Sequence, residues 1–133
     1  MAESARGWQS VTLGDVFPPP AGPYSPAVRA GDFLYVSGQV PKDPRSGALL
    51  GHDIVSQARG TLENLRRVLA AAGASVGDVV SVTVYLIDEN DWGAFNEVYR
   101  EVFSPPYPSR TVVGARLRGV LVEVSAVAWL GRG

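Results

Sequence analysis

The nine residues from Val79 to Ile87, Val-Val-Ser-Val-Thr-Val-Tyr-Leu-Ile, constrain the fold more than any other segment. Apolar or β-branched side chains fill both alternating faces. Val80, Val82, Val84 and Leu86 take one; Val79, Ser81, Thr83, Tyr85 and Ile87 take the other. Such a strand belongs inside a sheet with cover on both sides. Only two segments offer that cover. Behind Asp53, an N-cap candidate, Val55, Ala58, Leu62, Leu65, Leu69 and Ala72 form one apolar helical stripe. Gly73 follows where a left-handed C′ residue belongs. Behind Asp88 and Asn90, Trp92, Phe95, Tyr99 and Val102 form a second stripe, and Pro105, Pro106 and Pro108 stop it. These helix aromatics read as core. Glu63 with Arg66 or Arg67 reads as pairing on the solvated helix face.

The remaining strands are shorter. Val11 to Leu13 is one candidate. The proline-rich stretch from Phe17 to Pro23 is an extended connector. Ala27 to Ala30 and Phe33 to Ser37 flank Gly31-Asp32 as a hairpin. Arg110 to Arg116 and Val120 to Leu130 close the chain around a turn near Arg118-Gly119. The order β, ββ, α, β, α, ββ predicts an α+β fold with both helices on one face of a mixed sheet. No third helix covers the other face, so subunits are expected to associate there. With 133 residues and 46% apolar residues the chain suits one domain. Residues 1–9 read as a flexible arm and residues 10–131 as the domain.

Composition removes many chemistries. There is no cysteine, so no disulfide, thiol nucleophile or Cys-bearing metal site is available. The single histidine, His52, cannot build a multi-His metal centre and reads as a loop residue; no metal site is expected. Lys42 sits in Pro41-Lys42-Asp43-Pro44, a turn composition poorly suited to a Schiff base. Twelve basic residues balance thirteen acidic ones, so no field recruits nucleic acid or an anionic membrane. No apolar run approaches the ~20 residues of a membrane span, which makes a cytoplasmic protein the expectation.

Two charges interrupt apolar strands. Arg110 opens one, and Glu123 lies within Val120-Leu121-Val122-Glu123-Val124-Ser125-Ala126-Val127. A carboxylate there is costly unless paired, and buried acids concentrate at functional sites. If the last two strands form a hairpin with an even loop, Arg110, Val112 and Gly114 share a face with Glu123. A guanidinium fork beside a carboxylate that can hold water suits a small carboxylic acid with water chemistry next to its carboxylate.

Several segments resemble the Rid family, the YjgF-type reactive intermediate deaminases also called the L-PSP endoribonuclease family. They are Gly22-Pro23-Tyr24-Ser25, Ser37-Gly38-Gln39-Val40-Pro41, the Ala71-Ala72-Gly73 to Val76-Gly77-Asp78-Val79-Val80 junction, Asn96, Pro108-Ser109-Arg110-Thr111 and Leu121-Val122-Glu123-Val124. The resemblance covers about residues 20–130. It implies a chorismate mutase-like six-stranded α+β subunit, a homotrimer around a central barrel, and clefts between neighbours. It implies cofactor-independent hydrolysis of enamine and imine intermediates of the 2-aminoacrylate type to 2-oxo acids and ammonia. By position, Arg110 would clamp the carboxylate and Glu123 would activate water. Tyr24, Ser37, Gly38 and Asn96 would line the cleft, and the backbone at Val112 would meet the imine nitrogen. A non-catalytic regulatory binder of small carboxylates is the alternative; the charge balance disfavours a ribonuclease. This sequence departs from the family pattern in carrying Val112 where many members have cysteine. Its Arg110–Glu123 segment is two residues shorter and its N-terminal arm longer.

Overall fold

The computed structural model describes residues 6–14 and 17–131; residues 1–5 of the expected arm lie outside it. Six strands form one mixed sheet: β1 (Gln9–Ser10), β2 (Ala27–Ala30), β3 (Phe33–Gln39), β4 (Val79–Leu86), β5 (Ser109–Gly114) and β6 (Val122–Trp129). Helices α1 (Ile54–Ala71) and α2 (Trp92–Val102) pack on one face of it. The α+β architecture is therefore as expected. The first strand is Gln9–Ser10 rather than Val11 to Leu13, and Val11 N–H still bonds to the Ala27 carbonyl at 2.9 Å.

The helices begin and end where their sequences direct. The Asp53 carboxylate accepts from the Ser56 backbone N–H at 2.8 Å, satisfying a free donor of the first turn. Gly73 has φ +79°, the left-handed conformation that glycine adopts without a Cβ penalty. Asp88 caps a single 3-10 turn at Glu89–Asp91, which hands the chain to α2. Leu62, Leu65, Leu69, Phe95 and Val98 bury their side chains against Val82, Val84, Val122 and Val124. Glu63 meets Arg66 and Arg67 on the exposed face, as expected.

The sheet order is β1-β2-β3-β6-β4-β5, and this overturns the expected terminal hairpin. β5 pairs parallel with β4 and β6 pairs antiparallel with both β4 and β3. A parallel neighbour needs a crossover, and α2 supplies it between β4 and β5. The free edge of β4 then lies toward β3. Residues 115–121 carry the chain past the end of β4, anchored by Ala115 N–H to the Leu86 carbonyl and by Ile87 N–H to the Leu121 carbonyl. β6 so gains ladder partners on both edges, the position its buried Val122, Val124, Ala126 and Ala128 require.

A register shift between Val79 and Ser81 corrects a second expectation. Val79 is 6% exposed on the helix side and Val80 is 42% exposed, so the bulge exchanges their expected faces. The face away from the helices has no cover from this chain. Phe33, Tyr35, Val113 and Trp129 are exposed on it or at its margins.

Candidate functional site

Arg110 and Glu123 do not share a sheet face. Arg110 lies opposite Val82 and therefore on the helix side; Glu123 lies opposite Tyr85 and therefore on the open side. Two strand spacings and three residues of rise separate their backbones, about 14 Å. One chain cannot bring both groups to one small molecule. The parity argument failed because it assumed that β5 and β6 pair with each other.

Each group instead has its own surroundings. On the helix side, a cleft of about 280 Å³ is lined by Trp92, Asn96, Tyr99, Tyr107, Pro108 and Arg110, among others. The Arg110 Cζ sits over the Tyr99 ring, 4.7 Å from its centroid, within cation–π range. Arg110 has no ion-pair partner among the described residues. Asn96 is 8% exposed and its Oδ1 is buried without a hydrogen bond; the Tyr99 hydroxyl is in the same condition. Burial pushes the Tyr99 hydroxyl pKa above its ordinary value, against the opposing pull of Arg110, so it keeps its proton. The cleft therefore holds an unpaired cation, a hydroxyl donor and an amide acceptor, with aromatic walls.

On the open side, Glu123 meets the end of β3. A Cβ placed on Gly38 would lie 2.8 Å from the Glu123 carboxyl carbon, so glycine is what allows this carboxylate to lie against the strand. No described residue hydrogen bonds to or forms an ion pair with the Glu123 side chain. The Ser37 hydroxyl donates to the Ser25 carbonyl at 2.6 Å and so ties down the segment bearing Tyr24. Tyr24 is 59% exposed, and with Ser37 and Gly38 it lines a hollow between the proline-rich connector and the loop after β3. Val112 packs against the core from the helix side; it also borders a further hollow next to Trp92.

The structure thus groups Arg110 with Asn96, and Glu123 with Gly38; Ser37 and Tyr24 line the hollow beside Gly38, whose lining does not include Glu123. Trp92 differs from its core reading, being 53% exposed at the cleft. Tyr99 is core as expected, yet it also carries the arginine. Two further residues escaped the sequence reading. Asn64 donates to the carbonyls of Val40 and Lys42 at 2.9 and 2.8 Å. Gln57 donates to the Gly51 carbonyl at 3.1 Å and accepts from Leu121 N–H at 2.8 Å. These buried amides hold the loop after β3 and the approach to β6. Their one sequence signal is a polar pair seven residues apart beside an apolar stripe. Among the described residues no group of three His, Cys, Asp or Glu could hold a metal, and no helix is long and apolar enough to cross a membrane.

Comparison with known proteins gives a consistent picture. Residues 15–130 match the family described as Endoribonuclease L-PSP. A RutC family protein of Pyrococcus horikoshii is 48% identical over 114 residues, 84% of this chain and 90% of that protein. The 2-iminobutanoate/2-iminopropanoate deaminase of Mus musculus is 43% identical over 116 residues, 86% of each chain. The crystal structure of RidA from an Antarctic Psychrobacter superposes with a TM-score of 0.83 at 36% identity, covering 91% of this chain and 98% of that one.

Proposed function

Because the chain belongs to the Rid family of L-PSP endoribonuclease-type proteins, we propose that it hydrolyses reactive 2-imino acids and their enamine tautomers to 2-oxo acids and ammonia. The observation that carries this reading is Arg110, a cation without an ion-pair partner over an aromatic ring in a cleft with unpartnered polar atoms. A guanidinium fork there binds a carboxylate in bidentate fashion. The activity named for the mouse relative is of the same kind.

The two half-sites are joined across a subunit boundary in this reading. Arg110 and Asn96 of one protomer face Glu123, Gly38, Ser37 and Tyr24 of its neighbour, in a homotrimer whose contacts cover the open sheet face. The apolar side chains on that face support association, since a contiguous exposed apolar surface is unusual on a monomer.

The chemistry needs no cofactor. Arg110 holds the carboxylate and orients C2. Glu123 takes a proton from water as the water oxygen bonds to C2 and passes it to the imine nitrogen, which has gained the C=N π pair, giving a carbinolamine. Glu123 then carries the hydroxyl proton to the amine, the C–N bond breaks with its electron pair leaving on ammonia, and the C=O of the 2-oxo acid forms. Imines hydrolyse without strong catalysis, so positioning and one acid–base group suffice.

A coupled assay tests the reading. A serine or threonine dehydratase generates 2-aminoacrylate or its four-carbon homologue, and 2-oxo acid release is followed with and without this protein. Wild type should accelerate release, and Arg110→Ala and Glu123→Gln should each abolish the acceleration. Refolding the two inactive variants together tests the boundary. A shared site restores both groups at about a quarter of the clefts in a random mixture, whereas a site within one chain recovers nothing. Binding of 2-oxo acids by a wild type inert toward imines would leave the carboxylate-binder alternative standing.

A further inference from the structure

Tyr99 does more than fill the core. Its ring is fixed from several sides, stacked on Phe103 at 4.5 Å and 25° and in tilted contact with Phe95 and Tyr107. At 4% exposure it has no room to turn. The Arg110 guanidinium rests on this fixed ring. An arginine side chain otherwise brings considerable rotamer freedom, and ordering it on binding subtracts from affinity.

The hydroxyl is a second and independent observation. Three buried side-chain polar atoms among the described residues have no hydrogen-bond partner, and two of them, Tyr99 OH and Asn96 Oδ1, belong to residues lining the Arg110 cleft. A buried hydroxyl without a partner destabilises a fold, and phenylalanine would fill the same space without that cost. A tyrosine here makes physical sense if the hydroxyl has a partner that arrives with the ligand.

We infer that Tyr99 is a binding residue of the carboxylate clamp with two separable parts: its ring positions Arg110, and its hydroxyl donates a hydrogen bond to the acid that Arg110 holds. The inference rests on the reading of this cleft as a carboxylate site. It adds a residue and a division of labour which that reading does not require.

The test uses 2-oxobutyrate as a stable probe acid, with calorimetric binding and thermal unfolding measured on the same full-length samples. Tyr99→Phe keeps the ring and removes the hydroxyl. It should unfold at the wild-type temperature or above, yet bind the probe about 10-fold more weakly, as expected for a lost hydrogen bond to a charged group. Stability held or raised while affinity falls is a split that a purely packing role does not produce. Tyr99→Leu also removes the platform and should weaken binding further. In an Arg110→Ala background Tyr99→Leu should cost no more than Tyr99→Phe does, because the ring acts through the arginine. Equal probe affinity of wild type and Tyr99→Phe would overturn the role of the hydroxyl. A difference between Tyr99→Leu and Tyr99→Phe that is as large in the Arg110→Ala background as in wild type would overturn the role of the ring. Imine turnover by wild type with either result would leave the proposed function intact. Probe binding without turnover would sink the deaminase reading and leave the Tyr99 inference standing.

Discussion

Gly38 and Glu123 illustrate how one missing methyl group can set the position of a carboxylate, here the one proposed to activate water. The carboxylate lies where a β-carbon on residue 38 would be. In Gly38→Ala the flexible end of Glu123 is the part that yields, so the fold should survive while the carboxylate moves. Displacing a catalytic group by about 1 Å costs up to ~100-fold. The expected outcome is a 10- to 100-fold loss in the imine assay with an unfolding temperature close to wild type. A parallel collapse of stability would show instead that Gly38 serves packing. Both residues stood out in the chain, Glu123 as a charge within an apolar run and Gly38 within the ordered family segments. Their contact was not legible, because it joins strands about 85 positions apart. Tyr99 was legible only as core. An apolar stripe says that a ring is buried and nothing about what lies on its other side.

The helices matter here for what their buried amides hold. Asn64 bonds to two carbonyls of the loop after β3, and Gln57 spans from Gly51 to Leu121. Each replaces water for backbone groups that the core would otherwise strand. Asn64→Ala orphans the Lys42 carbonyl, leaves the Val40 carbonyl only its bond from Lys42 N–H, and should cost about 2 kcal/mol. Urea denaturation checks this: the midpoint should fall at constant m-value. The existence of both helices and most of their apolar faces followed from periodicity, since a 3.6-residue repeat is local; the second helix is nonetheless capped at Asp91, not at Asp88 or Asn90. The pairing of the strands did not. Local pattern places residues on alternate faces but does not name the neighbouring strand, and the inserted β6 defeated the simplest assumption, a hairpin between consecutive strands.

The open sheet face acts at the scale of the whole molecule. Tyr35 is half exposed in the middle of β3 and contributes nothing to the core of its own chain. Tyr35→Glu should therefore leave the protomer folded but weaken its association, and with it the activity of a site shared between copies. Sedimentation velocity should find a trimer for wild type and smaller species for the variant; a wild-type monomer would remove the shared site. By itself the sequence determined the class of fold, the two helices, the uncovered second face and the ordered segments of the family. Those properties depend on neighbours within a few residues or on pattern along the chain. Only the tertiary structure decided that Arg110 and Glu123 look to opposite sides of the sheet and that Tyr99 carries the arginine. Those facts depend on strand order, and strand order is set by which edges remain free once a crossover helix has taken its place, a competition that no local stretch of residues encodes.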